Sequence, residues 1–170
     1  MNVMRTNRSH ERTRGAIIVE AAVVLPLILA LFAGFVDFAW VLNDLQSVRQ
    51  ETREVARDAV VGNSGATGCS HSAGTVNAAT EGLICEVKSR LGSDVVVRLE
   101  LPDTGGYVEG NAVRVCVQKP YESLTGVYAT MINDGAATVK VESRIEQVAA
   151  VAFESFSEPP LTGQSWGFCA

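Results

Sequence analysis

The chain has 170 residues, a net charge of −5 and 47% hydrophobic residues that are unevenly spread. That length holds one modest domain plus accessory segments. The acidic balance offers no basic face, so no nucleic-acid partner is expected.

Residues 1–13 are polar and arginine-rich, without apolar periodicity, and read as an unstructured leader. Residues 1–15 carry Arg5, Arg8, Arg12 and Arg14 against Glu11, a net of +3, so the remainder of the −5 chain carries −8. From Ala16 to Val36 every residue but Glu20 is apolar. A helix over that run rises roughly 31 Å, about one hydrocarbon core. Basic residues ahead of such a span stay on the cytoplasmic side, which sends the rest of the chain outside.

The helical pattern continues past the span. Phe38, Leu42, Leu45, Val48, Thr52, Val55 and Ala59 recur at three- and four-residue steps and give an apolar stripe. Asp37, Asp44, Glu51 and Asp58 repeat every seven residues, and Arg49, Arg53 and Arg57 every four. The charges read as an exposed helix face rather than a specific interhelical ladder. Pro26 removes one helical hydrogen bond and is the expected kink. The helix is therefore expected over 16–61, with its membrane span at about 16–36.

Residues 62–75 are rich in Gly, Ser, Ala and Thr and read as a loop. A second helix is predicted over Val76–Leu91, with Thr75 as N-cap and Gly92 as stop. Three alternating runs follow. Val95, Val97, Leu99 and Leu101 share one face of the first; Val113, Val115 and Val117 share one face of the second. Val139, Val141 and Ile145 do so in the third. Three half-buried antiparallel strands covered by two helices make an α+β domain over 62–170. A short helical connection is predicted around Tyr121 to Ile132, and an irregular tail after Phe156. No internal repeat is present.

Four cysteines, Cys69, Cys85, Cys116 and Cys169, all follow the span. Export to an oxidising compartment makes two disulfides the natural outcome. Four cysteines allow three pairings, and sequence alone does not choose. Cys116 points away from the valine face of its strand and could hold the tail through Cys169. Cys69 and Cys85 form an easy local pair. The cysteines lack CxxC spacing, so neither a zinc site nor redox catalysis is expected. His71, in a polar loop, reads as solvated. No phosphate-cradling loop, HExxH or GxSxG is present, so neither an enzyme nor a cofactor is expected.

The function signal lies at the start of the apolar run. A basic leader ends in Gly15, a helix begins at Ala16, and Glu20 is its fifth residue: "RGAIIVE". This resembles the class III signal peptide of type IV pilin-like proteins. With "VVLPLIL", "GFVDF" and "REVARDAV", the stretch from Arg14 to Val60 resembles TadE-family pseudopilins, or minor pilins, of tight-adherence (Flp) systems. Ala21, where such proteins usually carry an aromatic residue, and Asp37, where many carry glutamate, depart from the pattern.

The resemblance implies a pilin-like fold, cleavage between Gly15 and Ala16 by a prepilin peptidase, and retention of the apolar helix. It implies partnership with other pilin subunits and with the pilus assembly machinery in a bacterial cell membrane. It also implies that Glu20 pairs with the new α-amine of a neighbouring subunit. The residues themselves supply only the charges and a spacing of one helical turn, and a Glu20 that snorkels to the cytoplasmic headgroups fits them too. Two rival readings are an unprocessed single-pass binding protein and a conventional signal peptide over the first 39 or so residues, for which "VDFAW" is a poor cleavage site.

Overall fold

A computed structural model describes residues 8–63, 68–71, 74–121, 135–148 and 151–169, with side chains from Ile17 onward except Phe168. Helix α1 spans Arg8–Val60 as 53 continuous residues, a rise of roughly 80 Å. It therefore begins seven residues ahead of Gly15, where the sequence reading had an unstructured leader. Propagating a helix costs far less than nucleating one, and arginine and glutamate are good helix formers, so the long apolar helix extends into the polar segment. The helix also runs unbroken through Pro26.

Helix α2 spans Ala78–Leu91. Its N-cap is Asn77 rather than Thr75: the Asn77 side chain accepts from the Thr80 N–H at 2.9 Å and donates to the Ala152 carbonyl at 2.6 Å. One residue thus caps the helix and ties it to the C-terminal segment. Gly92 closes the helix with φ 111°, and a Cβ there would meet Asp94 Oδ1 at 2.6 Å.

Strands β1 (Val96–Glu100), β2 (Ala112–Pro120), β3 (Ala136–Arg144) and β4 (Phe156–Ser157) form one antiparallel sheet in the order β3-β2-β1-β4. The sheet has four strands rather than the three expected. β4 has two residues, too few for any period, and its role is to cover the free edge of β1. There Leu99 pairs with Phe156, and the Glu158 side chain accepts from the Val97 N–H at 2.9 Å. The connection predicted from Tyr121 to Ile132 lies outside the described residues after Tyr121.

One sheet face carries Val97, Leu99, Val113, Val115, Val117, Ala137 and Val139, all buried. Val48, Val55, Ala56, Ala59 and Val60 of α1 and Leu83, Ile84, Val87 and Leu91 of α2 close over it as one core. Phe38 and Leu42, expected on the buried stripe, are exposed; the stripe that docks begins instead at Val41 and Val48. Phe38 and Leu42 lie at the level of buried Asp37 and Val41 but on another side of the helix, so the covered face, not the level, decides their exposure. At the other end, both the Glu146 and Gln147 N–H groups donate to the Val60 carbonyl. Tyr107 Oη donates to the Ala59 carbonyl. The exit of β3 thus satisfies carbonyls that a helix end leaves orphaned.

The second sheet face is also covered at its centre, against the expectation of a half-buried sheet. Cys116 packs with Trp166 and Cys169, and all three are buried. Alongside, Arg114 bridges Glu100 and Glu142, each at 3.2 Å, so three strands are joined by a charge row.

Candidate functional site

The site is the N-terminal half of α1, and its defining property is what it leaves uncovered. Every large apolar side chain from Ile17 to Trp40 is exposed. The helix is long and apolar enough to cross a membrane, and its apolar window has none of its surface buried within the chain. A soluble core helix would bury one stripe; this one is apolar around its circumference. Trp40, at 49% exposure, stands near the outer end of the run, where an indole suits a membrane–water boundary.

Glu20 is exposed in this setting and is the first carboxylate of the span. Gly15 and Ala16 lie within the helical backbone. From Ala16 to Glu20 is four residues, a rise of about 6 Å on the same side of the helix. An apolar exterior with a single carboxylate near one end cannot satisfy that charge within the described part of its own chain. Asp37, by contrast, is buried, and marks where the helix passes from exposed to covered.

Beyond Asp37 the acidic row of α1 turns inward. Asp44 accepts from Lys119 at 2.7 Å, and Glu51 pairs with Arg90 at 3.0 Å. These are bonds within the subunit, where the sequence suggested only an exposed face. Arg90 also pairs with Glu86, and the Glu51 hydrogen bond, followed by the Glu86 charge, outweighs desolvation and raises its pKa further.

The cysteines form two disulfides, Cys69–Cys85 and Cys116–Cys169, with Cα separations of 5.2 and 6.2 Å. They are the pairs the sequence favoured, and they hold the two segments with least regular structure. The first ties the loop after α1 to α2; the second ties the tail to the centre of β2. The tail is further held by groups that carried no signal in the sequence. Gln118, fully buried, donates to the Ser165 carbonyl at 3.0 Å and accepts from the Leu161 N–H at 3.2 Å. Lys88 on α2 pairs with buried Glu158 at 2.9 Å, and Trp166 Nε1 donates to the Glu158 carbonyl. The one hint of this was Lys88 itself, a charge between Ile84, Val87 and Leu91 on an otherwise apolar face.

Among the described residues no group of three His, Cys, Asp or Glu side chains could hold a metal. His71 is partly buried, with its ring edge-on to Phe156 at 5.7 Å, so it packs rather than standing in solvent.

Residues 15–57 match the family model described as TadE-like protein. The stem is TadE-like. The match starts at Gly15, includes Glu20 and Pro26, and ends just short of the end of α1. The match covers about a quarter of the chain, and the apolar half of the matched helix fits membrane anchoring. The match does not reach the α+β head. No curated protein and no solved structure matches the chain.

Proposed function

We propose that this chain is a TadE-like minor pilin, or pseudopilin, of a tight-adherence type IV pilus system. A prepilin peptidase cuts between Gly15 and Ala16 on the cytoplasmic side, removing residues 1–15. The apolar stem then serves first as a single-pass anchor in the bacterial cell membrane and afterwards as the packing surface for other pilin subunits. The head, residues 62–170, lies outside the cytoplasm, where its disulfides form. It acts in pilus assembly, in priming or at the tip, with the assembly machinery in the membrane as a further partner.

The observation that carries this reading is a continuous helix whose outer half is buried in its own head and whose inner half exposes an unbroken apolar surface bearing Glu20. Cleavage would leave a protonated amine on Ala16. That amine and the Glu20 carboxylate of a neighbouring stem neutralise each other in a low-dielectric setting, where either alone is costly. Pairing at that point also fixes the axial register of two stems.

The test is intact-mass and N-terminal peptide analysis of the protein extracted from its native membranes. The expected mature N-terminus is Ala16, and Gly15→Leu should leave the leader attached. A wild-type chain that retains Met1 would overturn the proposal and favour an unprocessed membrane-anchored binding protein. Glu20→Gln should be processed yet assemble poorly; normal pili in that variant would remove the role given to Glu20.

A further inference from the structure

The head-side half of α1 carries a second uncompensated feature, the row Arg49, Arg53 and Arg57. Most other cations beyond the span have partners: Lys88, Arg90, Arg98, Arg114 and Lys119 in ion pairs, and Arg144 on the Gly110 carbonyl. Arg49, Arg53 and Arg57 are exposed, and among the described residues none has an ion pair or hydrogen bond from its side chain. Like charges four apart on a helix repel. Arg57 sits in the last turn, where a cation meets the negative helix end, with Glu54 three residues before it. Arg49 and Arg53 have no such reason.

The matching acidic surface lies at the head end of α1 in the same chain, just above Arg57. Glu109 and Glu146 are exposed there, and neither side chain has a partner. Their turns are joined by the Gly110 N–H to the Ile145 carbonyl at 2.9 Å. Val108 and Val148 stand exposed beside them. Arg144 is close by but is tied to Gly110, and the pole stays net acidic.

We propose that the Arg49–Arg53–Arg57 row is the docking face for the Glu109/Glu146 pole of a second copy of this chain, with stems parallel and axially staggered. Two different patches meet, so the contact is heterologous, and the axial stagger keeps it from closing into a ring. The stagger can be checked along the helix. The Glu146 N–H bonds to the Val60 carbonyl, so the pole is level with Val60. Arg57 lies about 4.5 Å and Arg53 about 10.5 Å below that level. Pairing one copy's Ala16 amine with the next copy's Glu20 needs a shift of about 6 Å, between those two values. This agreement rests on the stem pairing proposed above, whereas the charge match does not. Anionic lipid fits less well. Arg49 stands about 10 Å, Arg53 about 16 Å and Arg57 about 22 Å beyond Leu42, the last exposed apolar side chain of the stem. For Arg53 and Arg57 that is at least two screening lengths of about 8 Å.

The experiment uses the full-length chain in its own membranes. Arg53→Lys puts a primary amine in the row, and a zero-length carbodiimide joins it to any carboxylate in contact. A cross-linked dimer whose joined peptides are position 53 and Glu109 or Glu146 is expected. Co-purification of two differently tagged copies should fall roughly tenfold in Arg49→Glu/Arg53→Glu/Arg57→Glu and recover when Glu109→Lys/Glu146→Lys is added. Retention of both disulfides on non-reducing gels shows that the variants fold. Unchanged co-purification, or a cross-link from position 53 to another protein or to other carboxylates, overturns the proposal. An intact leader together with the expected cross-link would sink the pilus reading alone; a mature Ala16 terminus without the cross-link would sink the docking face alone.

Discussion

The two halves of α1 are one helix with two different debts of burial. From Val48 to Val60 the helix closes over the valine face of the sheet and has its last carbonyls met by the β3 exit. From Ile17 to Trp40 it buries only Asp37, and its large apolar side chains stand open all round. Burial inside the chain makes the head a folding unit. Absence of burial leaves the stem to be covered from outside the described chain, on the proposed function by lipid or by other stems. The junction is sharp, with Asp37 and Val41 covered while Phe38 and Trp40 remain exposed. A change in the head should therefore be read in unfolding, and a change in the stem should be read in insertion and assembly.

The strongest way to break that division is to loosen the head and watch the stem. In a chain-entropy account, removing Cys116–Cys169, which spans 53 residues, costs up to about 4 kcal/mol. Removing Cys69–Cys85, which spans 16, costs up to about 3 kcal/mol. Paired Cys→Ser variants in detergent should unfold at lower temperature in that order by near-ultraviolet circular dichroism, while membrane extraction stays as in the wild type. A head variant that also lost its membrane association would show that the halves do not act separately.

A related change probes how the tail is held. Glu158→Ala leaves the Lys88 ammonium buried without its partner and takes the acceptor from the Val97 N–H, so a loss of about 3 kcal/mol is expected. Lys88→Met/Glu158→Leu removes both charges and should be milder than the single change, although Val97 still loses its acceptor. Denaturant unfolding of the two variants gives the comparison. A double variant worse than the single one would mean that the pair is net stabilising.

How much of this was legible follows from the length of pattern each feature has. The stem is written as an unbroken apolar run, and the head-side half of α1, α2 and three strands in periods of 3.6 or 2. Gly15 and Glu20 stood out because their spacing resembles a processing signal, a role that remains part of the proposal. The side of β2 on which Cys116 points favoured a bond to the tail without choosing among the three pairings. β4 was not legible, because two residues carry no alternation and their pairing depends on a strand more than fifty residues earlier. The tail was not either: Lys88 on α2, Gln118 on β2 and the Glu158–Trp166 segment meet from three separate parts of the chain. Asn77 displaced Thr75 as the cap because it also reaches the Ala152 carbonyl, a tertiary contact that local pattern does not contain.

The finest comparison uses one residue type in one helix. Val24 is 45% exposed in the stem, and Val55 is 1% exposed in the head. Val→Ala removes the same two methyl groups' worth of surface and the same β-branching at each place. At position 55 the deletion opens space between α1 and the sheet, and about 2 kcal/mol should be lost from the unfolding free energy of the head. At position 24 no intrachain neighbour loses a contact, and alanine is the better helix former, so the head should unfold within about 0.5 kcal/mol of the wild type. Any effect of Val24→Ala then belongs to assembly, read as a change in pilus number with unchanged protein in the membrane. Equal destabilisation of the head by both variants would mean that the stem folds back on it, and the division of α1 into a buried half and an offered half would fail.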